Sequence, residues 1–379
     1  MGMRVHPGVI GCTARPVIVS RDRSLEEMIY DTAQLALADA GITIEDIDGI
    51  VVAGNDQFDG RSISVMMASG SVGGVDRDIM STPSASEHAF ILGALRVATG
   101  QFRTQLIVSW SPIETASLSE AQRLGSDPYF HRALPLDELS AHALQASAIE
   151  RSLPGTRSAA EAVVEKNRAH GRTAWPNPPV QARPGPLRWP ITPAMTTAPV
   201  TGSVAMVLAA PDFIAERGSR NVAWLHGMGW ATEPSFLGDR DLTLAPALAS
   251  AARQAYAAAG ITDPAAAFDL AEVTDATPYA ELLAYEALSL CPREAWQTRA
   301  TDGSFARGGR LPVSLSGGVL TWNPVFCTGL IRIAEVANQI RGSAGPHQLP
   351  NVRRGLAHAG SGFAMQYQAA IVLGREARA

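Results

Sequence analysis

Lysine is almost absent from this chain of 379 residues, in which Lys166 is the only lysine and arginine supplies the other basic side chains. The net charge is −5, and the arginines are scattered among Asp and Glu. A nucleic-acid-binding surface needs basic residues clustered on one face. The sequence therefore predicts no nucleic-acid partner.

Cysteine is also scarce, with Cys12, Cys291 and Cys327 as the full set and no Cys-x-x-Cys pair among them. This excludes a zinc-finger pattern and a disulfide framework, so we predict no metal site. No apolar run reaches the ~18 residues of a transmembrane helix. The first residues also lack the apolar stretch of a signal peptide. We therefore expect a cytoplasmic protein with no membrane partner.

The composition that is present, 46% hydrophobic and 18% charged, is that of a folded globular protein. A chain of this length exceeds one ordinary hydrophobic core, so we expect two domains. Helix and strand patterns alternate along most of it, which predicts an α/β protein. Residues 112–199 depart from this alternation and are rich in Pro, Arg and Ser. We interpret them as an inserted loop domain.

An internal repeat indicates how the two domains are related. Residues 40–43 and residues 259–262 both read Ala-Gly-Ile-Thr, and each follows a helical pattern and precedes an apolar strand. The copies lie about half a chain apart, which predicts a duplicated unit. We expect an N-terminal half at 1–215, containing the insert, and a C-terminal half at 216–379.

Five motifs resemble those of the sterol-carrier-protein-x type of thiolase. The segment from Pro83 to Glu87 (PSASE) resembles the family's Ala-Cys-Ala-Ser-Gly nucleophile segment, with Ser84 in place of the cysteine. Lys166, Asn167, Asn177 and Pro178 resemble its loop-domain segment. These positions predict the start of a catalytic helix and part of the insert.

The other three motifs lie in the second half. EVTDATPYAEL resembles Glu-Val-His-Asp-Cys-Phe-Thr, keeping Asp275 but replacing the histidine and the cysteine. SLSGGVLTWNPVFCTG keeps Ser316 and Gly317, with Asn323 in place of a histidine. HAGSG resembles the Cys-Gly-Gly-Gly loop, with His358 in place of the acid–base cysteine.

The resemblance implies the thiolase-like five-layer α-β-α-β-α fold and a homodimer, formed through the strand after the Ser84 helix. It also implies an acyl-CoA substrate, with coenzyme A as part of the substrate and no covalently bound cofactor. Four catalytic positions have lost their cysteine or histidine, and thiolase chemistry needs an activated thiolate. An acyl-cysteine route is therefore not expected.

Aldol or retro-aldol chemistry on an acyl-CoA needs an oxyanion site and one general base, but no covalent intermediate. We expect Gly360, Gly362, Ser316 and Gly317 to bind the thioester. Asn323 is a candidate amide donor, and His358 and Tyr279 are candidate bases, with Asp275 as orienter. The resemblance includes aldolases that act with an OB-fold/zinc-ribbon partner, which makes such a partner an expectation here.

Two alternatives remain open at this point. Ser84 could be the nucleophile of an acyl-CoA acyltransferase. The chain could instead be a non-catalytic subunit whose pocket is plugged by Trp322 and Phe326. Cys327 matches an alanine of the family pattern and is expected to be a buried thiol. Every one of these hypotheses expects Ser84, Asn323 and His358 to surround one hollow.

Overall fold

The computed structural model describes residues 5–16, 23–56, 63–83, 85–112, 118–134, 136–175 and 188–378. Its strands are β1 (Gly8–Pro16), β2 (Gly49–Gly54), β3 (Asp78–Pro83), β4 (Thr104–Ser111), β5 (Gly202–Ala209), β6 (Ala223–Thr232), β7 (Leu270–Glu272), β8 (Arg354–Ser361) and β9 (Tyr367–Gly374).

The helices come from all parts of the described chain. They are α1 (Leu25–Ala40), α2 (Ser64–Ser71), α3 (Ser86–Ala98), α4 (Leu118–Gly125), α5 (Glu138–Ser152), α6 (Thr156–Ala174), α7 (Pro211–Arg217), α8 (Pro246–Ala259), α9 (Pro264–Ala267), α10 (Pro278–Ala287), α11 (Trp296–Thr301) and α12 (Thr328–Arg341).

The strands form one continuous sheet in the order β3-β2-β4-β5-β1-β6-β9-β8-β7. In the first part, β2 is parallel to β4, whereas β5 is antiparallel to both β4 and β1. In the second part, β7 is parallel to β8, whereas β9 is antiparallel to both β8 and β6. A short antiparallel pairing of β1 with β6 joins the two parts.

Matching bulges show how closely the two parts correspond. The register of β1 shifts between Val9 and Gly11, and that of β6 shifts between Leu225 and Gly227. A Cβ on Gly11 would lie 2.5 Å from the Ala36 carbonyl oxygen, and one on Gly227 would lie 2.2 Å from that of Ala255. At both bulges, glycine lets a strand approach the backbone of its covering helix.

The repeated Ala-Gly-Ile-Thr sequences end these two covering helices. Gly41 after α1 and Gly260 after α8 both adopt the left-handed conformation, with φ of 69° and 67°. Their N–H groups bond to carbonyl groups of the last helical turn, which is the glycine C-cap that this pattern predicts. The predicted domain limits at residue 215, with an insert at 112–199, remain a prediction.

Alternation along the described strands separates their buried side chains into a central core and an outer core on each side. Ile50 and Val52 of β2 pack with α1 on one outer face, whereas Val51 and Ala53 pack with α3 and α12 in the centre. In the second part, β8 and β9 face the same central helices on one side and α8 and α10 on the other. The five-layer α-β-α-β-α arrangement is confirmed.

The strand after α3 is the one through which a homodimer is predicted. β4 pairs with β2 on one side and with β5 on the other. Both of its edges are therefore occupied within the chain, so β4 has no free edge to pair with a strand of a second copy, and the homodimer remains a prediction. The end of the sheet on that side is β3.

Candidate functional site

A cavity of about 510 Å³ opens where several chain segments converge. This is within the size range of small-molecule sites. Its walls come from the start of α3, the segment before α12, the turn after β8, and helices α4 and α5. The polar side chains relevant to chemistry here are Glu87, Glu138, His142, Asn323 and Ser361.

The described residues on either side of the predicted nucleophile line this cavity. Ser84 itself lies outside the described residues, and so do Asn177 and Pro178. Pro83 and Ala85 line the cavity, and α3 begins at Ser86. The first N–H groups of a helix have no intrahelical partner and carry a partial positive charge. An oxyanion in this part of the cavity would be stabilised by the start of α3.

Glu87 is a residue that the motif comparison missed. It is 1% exposed and lines the cavity, and its Oε1 accepts a hydrogen bond of 2.6 Å from Ser361 Oγ. A Cβ on Gly329, in the first turn of α12, would lie 2.3 Å from Glu87 Oε2. The carboxylate thus lies beside the starts of two helices. Glu87 stands where the family pattern has glycine, and this difference could have identified it from the sequence as a site residue.

Asn323 lies in the cavity wall, as the sequence predicts for a site residue. Its Nδ2 donates to the Thr197 carbonyl oxygen at 3.2 Å, and its backbone carbonyl oxygen accepts from the Val200 N–H at 2.9 Å. An amide NH₂ has two hydrogens to donate. The bond to Thr197 leaves one hydrogen with which Asn323 can reach a ligand.

Gly360 and Gly362 also line the cavity, but the Gly360 backbone is already engaged. The Gly360 N–H donates to Thr274 Oγ1 at 3.2 Å. Thr274 stands where the family has histidine, and its hydroxyl in turn donates to the His358 carbonyl oxygen at 3.3 Å. This threonine therefore holds the strand and uses up a donor that a thioester would need.

His358 lies outside this cavity. Its side chain is fully buried beside a separate void of about 30 Å³, and Met365 lines both spaces. Nε2 lies 2.8 Å from Gln368 Oε1, while Gln368 Nε2 donates to the Met365 carbonyl. This network assigns the ring proton to Nε2. Burial lowers the pKa of His358 to about 4, so the ring is neutral.

The expectation of one hollow shared by Ser84, Asn323 and His358 is therefore not met. Met365 lies between His358 and the cavity that Asn323 lines. A fully buried, neutral imidazole behind a methionine has no direct contact with a ligand in that cavity. The catalytic role predicted for His358 remains a prediction.

Tyr279 is also remote from the cavity. Its hydroxyl donates to Glu150, and its ring packs in the outer core of the second part. Burial, followed by the hydrogen bond to Glu150, raises the pKa of this phenol. A phenol with a raised pKa that is already bonded to a carboxylate is not positioned as the base of this site.

Asp275 supports the Ser-Gly-Gly loop instead of facing a ligand. It accepts hydrogen bonds from the Val319 N–H at 2.5 Å and from Asn167 Nδ2 at 2.7 Å. Burial, and then the neighbouring Glu281, raise its pKa to about 7. Gly318 approaches so closely that a Cβ there would lie 2.2 Å from the Asp275 carboxylate.

Ser316 and Gly317 have similar supporting positions outside the cavity lining. Ser316 Oγ donates to Glu272 Oε2 at 2.7 Å and accepts from Arg332 Nη1 at 2.6 Å. A Cβ on Gly317 would lie 2.5 Å from the Gly171 Cα, so the loop packs directly on α6. Thioester binding by these two residues remains a prediction without a contact to the cavity.

The described lining of the cavity includes none of the three cysteines. Cys12, Cys291 and Cys327 are all buried. Burial raises the pKa of Cys12 to about 12 and that of Cys291 to about 11, so both are thiols at neutral pH. Thiol groups of this kind are poor nucleophiles because the thiolate is the reactive form.

The two aromatic residues expected to plug the pocket do not do so. Trp322 is 1% exposed and packs edge-on against Trp175, with ring centroids 4.9 Å apart. Phe326 lines the cavity but leaves it open. The expectation that Trp322 and Phe326 fill the pocket is wrong, because the tryptophan packs into the central core instead.

Two further findings concern the described part of the chain. Its helices include none that is both long and apolar enough to cross a membrane. Its His, Cys, Asp and Glu side chains form no group of three or more arranged to hold a metal ion.

Comparison with known sequences finds a family match in the second half of the chain. Residues 230–375 match the family described as thiolase C-terminal domain-like. Human sterol carrier protein 2 is 38% identical over 109 residues, which are 28% of this chain and 20% of that protein. An acetyl-CoA acetyltransferase of Methanothermobacter thermautotrophicus is 30% identical over 163 residues, 42% of each chain. The matches thus span less than half of these relatives.

Solved structures with the same fold cover nearly the whole chain. An Ltp2-ChsH2(DUF35) aldolase matches with a TM-score of 0.79 and 19% identity over 100% of both chains. Human mitochondrial 3-ketoacyl-CoA thiolase gives 0.72 and 11%, over 99% of this chain and 100% of that one. A monomeric SCP2-thiolase like protein from Mycobacterium smegmatis gives 0.67 and 18%, over 98% and 77%.

The layered fold of the chain is the thiolase fold, and its residues 230–375 match the thiolase C-terminal domain-like family. Over the aligned residues the chain is similar to sterol carrier protein 2, and its fold is similar to that of the SCP2-thiolase-like structure.

Proposed function

We propose that this protein binds an acyl-CoA thioester in the cavity beside α3 and makes or breaks a carbon–carbon bond of that thioester by aldol chemistry. The observation that carries the proposal is an open cavity of about 510 Å³ at the thiolase site with no cysteine in its described lining. An open cavity is consistent with a ligand, whereas the missing sulfur disfavours a covalent acyl-cysteine.

The groups that do line the cavity suit an enolate. Retro-aldol cleavage places negative charge on the thioester oxygen as the carbon–carbon bond breaks. The N–H groups at the start of α3 and the amide of Asn323 are positive dipoles in the cavity wall. They stabilise an enolate without any covalent bond to the protein.

Cleavage needs one proton to leave the substrate and one to return. A base takes the proton of the β-hydroxyl group, and the O–H electrons form the new carbonyl. The electron pair of the Cα–Cβ bond moves to Cα, which gives the enolate of the shorter thioester, and protonation at Cα completes the reaction. Coenzyme A is thus part of the substrate, and its pantetheine arm and acyl group would share the cavity.

A protein partner belongs to the same proposal. The aldolase structure with the same fold carries two component names, Ltp2 and ChsH2(DUF35). At 19% identity this likeness shows the fold alone. We propose an OB-fold/zinc-ribbon partner for this chain as well, and homodimerisation remains part of the proposal. A cytoplasmic location also remains a prediction.

The test combines binding with cleavage. Pure protein, with and without a co-purified partner, is incubated with short-, medium- and long-chain β-hydroxyacyl-CoAs. The expected products are a shorter acyl-CoA and an aldehyde or ketone in equal amounts, with the intact mass of the protein unchanged. No cleavage of any substrate, together with no CoA binding by calorimetry, would remove the proposal.

The same experiment distinguishes the acyltransferase alternative from the aldol proposal. An acyl-enzyme on Ser84 would add the mass of the acyl group to the protein, and Ser84→Ala would abolish that adduct. The aldol proposal expects no adduct and expects Ser84→Ala to retain cleavage.

A further inference from the structure

The wall of the cavity that α5 contributes contains a histidine whose ring is unpaired within the described chain. His142 is 3% exposed, and it lines the cavity from the second turn of α5. Neither Nδ1 nor Nε2 has a hydrogen-bond partner among the residues that the structure describes. Buried polar groups are nearly always hydrogen-bonded, because burying one unpaired costs about 1–3 kcal/mol. An unpaired imidazole at a cavity therefore indicates a ligand group as its partner.

Glu138 lies one helical turn before His142 on the same face of α5. The distance from Glu138 Oε1 to His142 Nε2 is 3.8 Å, which is beyond a hydrogen bond but close enough for electrostatic orientation. Gln122 of α4 donates an Nε2 hydrogen to Glu138 Oε2, which fixes the carboxylate from the neighbouring helix. With Nε2 turned toward Glu138, Nδ1 is the nitrogen left to exchange a proton.

A second histidine in the same cavity provides a contrast. His131 is also 3% exposed, but its Nε2 accepts the Leu237 N–H at 3.3 Å. Its ring packs against Phe236 and Phe363, with centroids 5.3 Å and 5.2 Å away. His131 is thus held in a structural role by its neighbours, whereas His142 keeps both nitrogens unused within the described part of the chain.

We infer that His142, oriented by Glu138, is the acid–base group of the reaction in this cavity. The inference rests on the proposed aldol function. In cleavage, Nδ1 takes the proton of the β-hydroxyl group as the carbonyl forms and the Cα–Cβ bond breaks. The imidazolium then returns that proton to Cα of the enolate, so the ring ends neutral. His142 is a catalytic residue, and Glu138 is a positioning residue.

The test uses the β-hydroxyacyl-CoA that the wild-type protein cleaves fastest. General acid–base groups contribute roughly 10²–10⁴-fold, so His142→Ala is expected to lower the single-turnover rate by that factor. Calorimetry should show nearly unchanged binding of the same acyl-CoA. Added imidazole should restore part of the lost rate, because the vacated space opens on the cavity. Glu138→Gln should lower the rate less, and imidazole should not restore it.

Leu144→Ala is the matched control, since Leu144 is on the same helix and 46% exposed. It should leave rate and binding unchanged. The inference is overturned if His142→Ala cleaves at the wild-type rate, or if His142→Gln retains full activity and imidazole has no effect on His142→Ala. If the wild type neither binds nor cleaves any substrate, the proposed function itself fails, and that outcome is distinct from the loss of His142 alone.

Discussion

The polar network around Asp275 and the cavity beside α3 differ in how far their polar side chains have hydrogen-bond partners. In the network, Asp275, Asn167, Glu281 and Lys166 satisfy one another and the backbone of the Ser-Gly-Gly loop. In the cavity, both ring nitrogens of His142 are unpaired within the described chain, and Glu87 accepts the hydroxyl of Ser361. The network consists of residues that match the thiolase motifs, whereas Asn323 and Glu87 at the cavity depart from them.

This difference is clearest for Asp275 and Ser316, which are retained but do not line the cavity. Asp275 and Ser316 are kept because they hold a loop whose glycines tolerate no side chain. Thr274, Asn323 and Glu87, which differ from the family pattern, all line the cavity. Asp275 and Ser316 therefore hold the scaffold, whereas the substituted residues divide between the cavity, where Asn323 and Glu87 lie, and the core, where His358 and Trp322 are buried.

The largest change in the free energy of unfolding is expected from removing one charge of the network. Glu281 is fully buried, and its Oε1 lies 2.9 Å from Lys166 Nζ. Glu281→Gln leaves the buried lysine without its counter-charge, and breaking such a pair costs about 3–5 kcal/mol. Urea unfolding should show this loss in the free energy of unfolding. If the free energy of unfolding falls no more than in a variant of an exposed surface residue, Glu281 and Lys166 do not form a stabilising ion pair.

A smaller loss is expected from adding one carbon to the loop. Gly318 has φ of 66°, and a Cβ there would meet the Asp275 carboxylate. Gly318→Ala should cost about 1–2 kcal/mol from its left-handed backbone and about 1–3 kcal/mol from overpacking.

Gly303→Ala is the control for that variant, because Gly303 has φ of 81° and no atom of the described residues within 4 Å of the added Cβ. It should show the backbone cost alone. Equal thermal unfolding of the two variants would argue against the close approach.

The raised pKa of Asp275 predicts a pH-dependent stability. Near pH 6 the folded carboxyl holds a proton that the unfolded chain, with a pKa of about 3.9, has released. This contribution to stability is complete below the unfolded pKa and is lost as the pH rises through about 7. The slope from one such proton approaches about −1.4 kcal/mol per pH unit. Asp275→Asn should flatten the profile of unfolding free energy between about pH 5 and 7.5, and an unaltered slope would count against the assignment.

The smallest effect is expected on the cleavage rate, from a substitution at the rim of the cavity. Ser361→Ala removes the hydroxyl that donates to Glu87 at 2.6 Å but leaves the backbone turn intact. We expect roughly a tenfold fall in the cleavage rate, about 1.4 kcal/mol in the barrier, with little change in stability. Steady-state kinetics on the wild-type substrate checks it, and a large loss of stability with an unchanged rate would move Ser361 from the site to the scaffold.

Local patterns made the fold predictable. The Ala-Gly-Ile-Thr repeats, the capped helix α1 and the apolar strands all indicate their structure within a few residues. The position of Asn323 at the cavity followed from its motif as well. The buried state of His358 could not be predicted, because it depends on Gln368 and Met365 from the next strand and turn. Likewise, only the assembled fold reveals that no described residue bonds to the ring of His142.

The most direct measurement is a crystal structure with a carba(dethia) analogue of a β-hydroxyacyl-CoA, in which a methylene group replaces the thioester sulfur. We predict the carbonyl oxygen within about 3 Å of an N–H group at the start of α3 or of Asn323 Nδ2. We also predict the β-hydroxyl group at hydrogen-bond distance from His142. An analogue bound outside this cavity, or with its acyl group turned away from α3, would contradict both predictions.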